Sequence, residues 1–148
     1  ICISGDGGLM FNLQELQTIK HHQLPIKIFI LCNKGYLTMK LMQKKNFNKL
    51  TLSTPKSGIS CPNFLDISKA FKIKSFSLKK TRQLNQIDKI LKIKGPVLCE
   101  IHMDTMQPLI PRLQTKMTKD GKFVPTPIDN MYPFLSDDEY RSNIFYTL

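Results

Sequence analysis

The residues whose types and spacing promise chemistry are Gly5, Asp6, Gly7 and Gly8 and, farther along, Asn33. Glycines let a backbone approach a ligand closely, and the N–H groups that open a following helix favour a phosphate. Asp6 adds a hard oxygen, the ligand type that suits Mg²⁺ bridging a diphosphate. Gly-Asp-Gly alone is a weak signal, because such triplets also make ordinary strand-to-loop turns. Asp6 could equally cap the next helix, and Asn33 could be a turn residue. The pair carries more than either member. If the two strands they follow are neighbours in one sheet, Asp6 and Asn33 stand side by side at its edge. A carboxylate, an amide oxygen and a turn carbonyl could then hold one octahedral cation, with diphosphate oxygens completing the shell.

The elements that must position these residues are legible in the apolar pattern, which switches repeatedly between strand and helix periods. Residues 1–4 read as a buried strand that ends at Gly5. A helix is expected over 11–22, with Leu13, Leu16 and Ile19 on one face. After Pro25, the run 26–32 is continuous and rich in β-branched residues, as in a central parallel strand. A short helix is expected over 37–43, a loop over 46–60, and a helix over 62–71 with Leu65, Ile67 and Ala70 packing. A strand at 74–78, a helix over 82–93 with Leu84, Ile87 and Leu91 inward, and a buried strand at 97–103 follow. This alternation predicts an α/β fold, a parallel sheet covered by helices. Ligands bind such sheets at the carboxyl ends of the strands, where Asp6 and Asn33 fall. Beyond residue 104 the prolines multiply, and 105–148 reads as an extended arm rather than a second domain.

Bulk properties narrow the function classes. The 148 residues suffice for one real core, and 41% are hydrophobic. No apolar run is long enough to span a bilayer, and no secretory signal is visible. The formal net charge is +11. The basic residues are nearly all lysines, scattered and not interleaved with aromatic rings, so no nucleic-acid platform is expected. Cys2, Cys32, Cys61 and Cys99 show no metal-like spacing and read as core thiols in a reducing cytoplasm. His21, His22 and His102 gather no other soft ligands nearby in sequence. Glu15 reads as a solvated helix residue, and Gln43 falls on the helix after Tyr36.

Gly5-Asp6-Gly7, a gap of twenty-five residues and then Asn33 resembles the signature of thiamine-diphosphate-dependent enzymes. The stretch GDGGLMFNLQELQTI looks especially like the acetolactate synthase and pyruvate decarboxylase group. The similarity continues through Leu31-Cys32-Asn33-Lys34-Gly35-Tyr36, Pro62-Asn63-Phe64 and Gly95-Pro96-Val97-Leu98-Cys99-Glu100, and more loosely in the tail. The resemblance implies the three-layer thiamine-diphosphate-binding fold, truncated at its N-terminal side, with thiamine diphosphate and Mg²⁺ as cofactors. Asp6, Asn33 and the Gly35 carbonyl would ligate Mg²⁺. Gly5, Gly7 and Gly8 would face the diphosphate, and Tyr36 and Leu37 would begin the segment along the cofactor. One departure is Cys32, where the family often has a first asparagine before the ligand. The resemblance further implies a 2-oxo acid substrate, decarboxylation or carboligation, and a homo-oligomer, either dimer or tetramer. FAD stays undecided. The activating glutamate would come from another domain, so the chain by itself is expected to be inactive, or to serve as a cofactor-binding module that needs a partner chain.

Overall fold

A computed structural model describes residues 1–144, and the chain divides into two units, the first Ile1–Gln107 and the second starting at Pro108. In the first unit β1 (Cys2–Gly5) runs directly into one helical turn, α1 (Asp6–Leu9), and a 3₁₀ turn over Met10–Asn12. Next come α2 (Glu15–His21), β2 (Lys27–Cys32), α3 (Leu37–Phe47), α4 (Phe64–Ala70) and β3 (Lys74–Leu78). α5 (Ile87–Leu91) and β4 (Val97–His102) complete the unit. The four strands form one parallel sheet in the order β1-β2-β4-β3.

The strand order dictates the layers. From β1 through β2 to β3 the chain advances across the sheet, and it then steps back to β4. Right-handed crossovers therefore place the last helix on the opposite face from the earlier ones. Alternate residues of β2 divide accordingly. Ile28 and Ile30 pack with Leu16 of α2, Phe64 of α4 and Leu98. Phe29 packs with Ile90 of α5, Leu78, Val97 and Cys99. The result is a parallel sheet flanked by helices on both faces, the α/β class that the apolar pattern predicts.

Five local expectations need correction. The strand at residues 1–4 forms, but Ile1 and Ile3 are 80% and 67% exposed. Among the described residues β1 pairs with β2 alone and lies at the edge of the sheet, a position that its composition does not encode. Cys2 is exposed for the same reason, Cys32 and Cys61 are half-buried, and only Cys99 is a core thiol. The helix over 11–22 instead begins at Asp6 and reaches α2 through tight turns, with Leu16 N–H donating to Leu13 O and Gln17 N–H to Gln14 O.

The helix over 82–93 is a 3₁₀ segment (Thr81–Gln86) followed by the short α5. Three residues per turn rotates Leu84 outward, and Leu91 is also exposed, so Ile87 and Ile90 supply the packing. In α4 the cap is Asn63, whose Oδ1 accepts from the N–H groups of Leu65 and Asp66. The helix therefore starts at Phe64 and buries Phe64 and Ser68, with Ile67 beside them, and leaves Ala70 exposed.

The second unit holds a small antiparallel pair, β5 (Lys116–Met117) and β6 (Phe123–Val124), and a bridge between Arg112 and Tyr132. Its helix α6 (Asp137–Ser142) is capped by Ser136, whose hydroxyl accepts from Glu139 N–H. No described helix is long and apolar enough to cross a membrane.

Candidate functional site

Gly5 is in register with Leu31, so Asp6 stands next to the end of β2. Its carboxylate is buried and acts as a hub. Oδ2 accepts the backbone N–H groups of Asn33, Lys34 and Gly35 at 3.0, 2.8 and 3.3 Å, and Oδ1 accepts that of Gly7 at 2.9 Å. Three consecutive amides can converge on one oxygen only if the chain curls tightly. Lys34 accordingly adopts φ +62° and Gly35 φ +130°. A side chain at Gly35 would also strike the Ser53 carbonyl, which instead accepts the Tyr36 N–H at 3.1 Å. Glycine is required there on both counts. At Gly7 a Cβ would collide with the Tyr36 ring. The Gly5–Gly8 turn and the Asn33–Tyr36 loop are therefore fitted to each other.

Asn33 is buried, and its partner is a buried cation. Lys40 Nζ donates to Asn33 O at 2.7 Å, to Asn33 Oδ1 at 3.2 Å and to Thr105 O at 2.6 Å. Lys40 is only 1% exposed. Burial lowers its pKa, while the charges of Asp6 and Asp104 oppose that shift. Sequence reasoning missed this residue. The available signal was its place in α3, three residues after Leu37 and one before Leu41, where a helix turned toward a core asks for an apolar side chain.

All eight sequence-derived residues, Gly5, Asp6, Gly7, Gly8, Asn33, Gly35, Tyr36 and Leu37, line one cleft of about 320 Å³ together with Thr38 and Met39. A divalent cation can be tested against the acceptors there. Asp6 Oδ2 is saturated by its three donors, whereas Oδ1 has a single donor and keeps a lone pair. Asn33 Oδ1 likewise has one donor and one lone pair remaining. With the Gly35 carbonyl these are hard oxygens, the donor set that fits Mg²⁺ and not a soft metal. Glu15 is exposed on α2. Gln43 is tied to the loop beyond α3 through Thr51 and Ser53.

A larger cleft of about 540 Å³ shares Asp6 and continues along the same strand ends to Ser77, Glu100 and His102. His102 Nε2 lies 3.2 Å from Glu100 Oε2 and 3.1 Å from Ser77 Oγ. Glu100 and Ser77 also escaped the sequence reading, although a carboxylate inside the apolar run of β4 was a visible anomaly. Cys32 lines this cleft. Burial, then the charges of Glu100 and Asp6, push its thiol up to about 12, so at neutral pH it is a neutral wall and not a nucleophile.

Comparison with known proteins identifies the family. Residues 1–101 match the family model "Thiamine pyrophosphate enzyme, C-terminal TPP binding domain". The chain is 34% identical over 115 residues to acetolactate synthase isozyme 2 large subunit of Escherichia coli K12, covering 75% of this chain and 21% of that protein. It is 33% identical over 101 residues to the acetolactate synthase large subunit of Porphyra purpurea, 68% of this chain and 17% of that one. Against acetolactate synthase 1, chloroplastic, of Zea mays it is 33% identical over 119 residues, 74% and 18% respectively. The aligned region thus spans about a fifth of these relatives' length. A family match over residues 1–101, more than half of its length, makes the chain a member of the thiamine pyrophosphate enzymes, acetolactate-synthase-like in its C-terminal TPP-binding domain.

Proposed function

We propose that this chain forms the diphosphate- and Mg²⁺-holding half of the active site of an enzyme acting on 2-oxo acids, by decarboxylation or by joining the resulting two-carbon unit to a second carbonyl compound. The observation that carries the reading is the Asp6 hub, which holds the Asn33–Gly35 loop against the glycine turn and leaves oxygen lone pairs at the cleft. Asp6 Oδ1, Asn33 Oδ1 and the Gly35 carbonyl would hold Mg²⁺. Gly5, Gly7 and Gly8 keep the turn free of side chains, so that a diphosphate can lie against the backbone. Tyr36 and Leu37 form the wall along which the cofactor would extend. Thiamine diphosphate, when bound, supplies a carbon nucleophile that adds to a carbonyl and then accepts the electrons released. The relatives are acetolactate synthases by name, and pyruvate is the first substrate to try.

The cleft favours shared catalysis. Its lining is glycine, amide, hydroxyl, thioether and aliphatic groups, and its single carboxylate is engaged by four backbone amides. A carboxylate or imidazole acting as general acid or base would come from outside this lining, either from Glu100 and His102 of the adjoining cleft or from a partner chain in an oligomer. The unpaired thiols suit a reducing compartment such as the cytoplasm. Assay of the intact protein with pyruvate, thiamine diphosphate and Mg²⁺ tests the proposal. CO₂ release that requires all three supports it, and a protein that binds the cofactor without turning over any 2-oxo acid would favour the non-catalytic module.

A further inference from the structure

We propose that Lys40 makes the site a joint receptor, one that accepts a divalent cation together with a diphosphate and rejects the cation alone. The inference rests on the reading of Asp6, Asn33 and Gly35 as the metal-holding set. Lys40 Nζ meets three oxygens, Asn33 O, Asn33 Oδ1 and Thr105 O, at 2.6–3.2 Å. Three acceptors call for three N–H donors, so the cage is built for the ammonium. Because an ammonium only donates, it also fixes which end of the Asn33 amide faces it, and the oxygen is the atom held in place. One lone pair of Oδ1 is used by Lys40, and the second is left for a metal.

Charge decides the consequence. Among the described residues no ion pair involves Lys40, and the buried carboxylate of the site is Asp6. Asp104 also acts on the ammonium but is exposed and screened by solvent, so the buried charges, one negative and one positive, leave the pocket close to neutral. A cation ligated by Asn33 Oδ1 would lie within about 5 Å of Nζ, given metal–oxygen distances near 2.1 Å. At that range, away from bulk water, repulsion between the two cations is severe. A diphosphate brings the negative charge that offsets both. The metal therefore binds well only as its diphosphate complex, while Lys40 holds the Asn33 ligand in position for it. Lys40 is a positioning residue with an electrostatic role, and a purely structural strap from α3 to Thr105 would show no such selectivity.

The test uses the intact protein and Mn²⁺ as a spectroscopic stand-in for Mg²⁺, with binding measured by loss of the free-ion resonance. Lys40→Gln keeps N–H donors without charge, Lys40→Met removes both, and Lys40→Arg keeps the charge. Lone Mn²⁺ is expected to bind Lys40→Gln and Lys40→Met at least about tenfold more tightly than the unaltered protein, with Lys40→Arg close to unaltered. The gain in Mn²⁺ affinity on adding thiamine diphosphate should shrink by a similar factor in the neutral variants. Equal lone-Mn²⁺ affinity in folded neutral variants and unaltered protein would overturn the proposal. So would a lone-Mn²⁺ Kd below about 10 µM in the unaltered protein, a result that stands even if every variant misfolds. If Mn²⁺–thiamine diphosphate binding persists and is lost in Asp6→Asn while Lys40 is indifferent, only the Lys40 proposal fails. If the unaltered protein binds no such complex, the metal-site reading fails with it.

Discussion

At Gly35 two independent constraints meet, a φ of +130° and the Ser53 carbonyl where a Cβ would go. Gly35→Ala should cost about 1–3 kcal/mol of stability and shift the Asn33–Tyr36 loop, readable as a lower urea midpoint together with weaker cofactor retention. Asp6→Ala is the harsher change. It strips the acceptor from the N–H groups of Asn33, Lys34 and Gly35, and buried donors left unpaired cost about 1–3 kcal/mol each, so loss of fold and of metal binding should go together. Asp6→Asn retains an acceptor oxygen and is the variant that separates metal binding from folding. The thiols behave oppositely to the oxygens. Buried Cys99 is raised to about 11 and Cys32 to about 12 from an ordinary 9.0, so between about pH 9 and 11 the folded chain keeps protons that the unfolded chain releases. Their contribution to stability is whole below pH 9 and declines as pH rises through that window. Iodoacetamide should therefore label Cys32 and Cys99 far more slowly in the native protein than in urea, and equal rates would refute the assigned burial. Asp6 and Asn33 were readable from sequence because their spacing and strand ends are local facts. Lys40, Glu100 and Ser77 were not, because their roles appear only once β4 and the segment after it are folded against β2 and β3.

At the scale of elements the buried positions carry the energetics. Leu16, fully buried between α2 and the sheet, should lose about 2–5 kcal/mol as Leu16→Ala, whereas Leu84→Ala on the exposed 3₁₀ segment should stay within about 0.5 kcal/mol. Chemical denaturation of the two variants checks this directly, and comparable losses would mean that the segment over Thr81–Gln86 packs as an α-helix after all. The strands of the parallel sheet were legible because continuous apolar runs of the kind at Lys27–Cys32 and Val97–His102 have few other uses. Edge position was not legible, since Ile3 reads like Ile28 until strand order is known. The 3₁₀ stretches were also hidden, because hydrophobic spacing at 82–93 satisfies a helical period whichever hydrogen-bond ladder forms.

For the molecule as a whole, the family resemblance and the strand order agree on a sheet whose carboxyl edge gathers the chemistry, with Asp6, Asn33, Glu100 and His102 all close to strand ends. The fold class followed from the alternation of periods along the chain, while the second unit, with its paired short strands and Ser136-capped helix, left no periodic signal to read. Asp6 is proposed to hold a diphosphate through Mg²⁺. Equilibrium dialysis of thiamine diphosphate against the intact protein, with Mg²⁺ and with EDTA, tests it most directly when repeated on Asp6→Asn. Retention that needs Mg²⁺ and falls by about 100-fold or more in folded Asp6→Asn is the predicted result. Retention that is indifferent to EDTA, or undiminished in the variant, would contradict it.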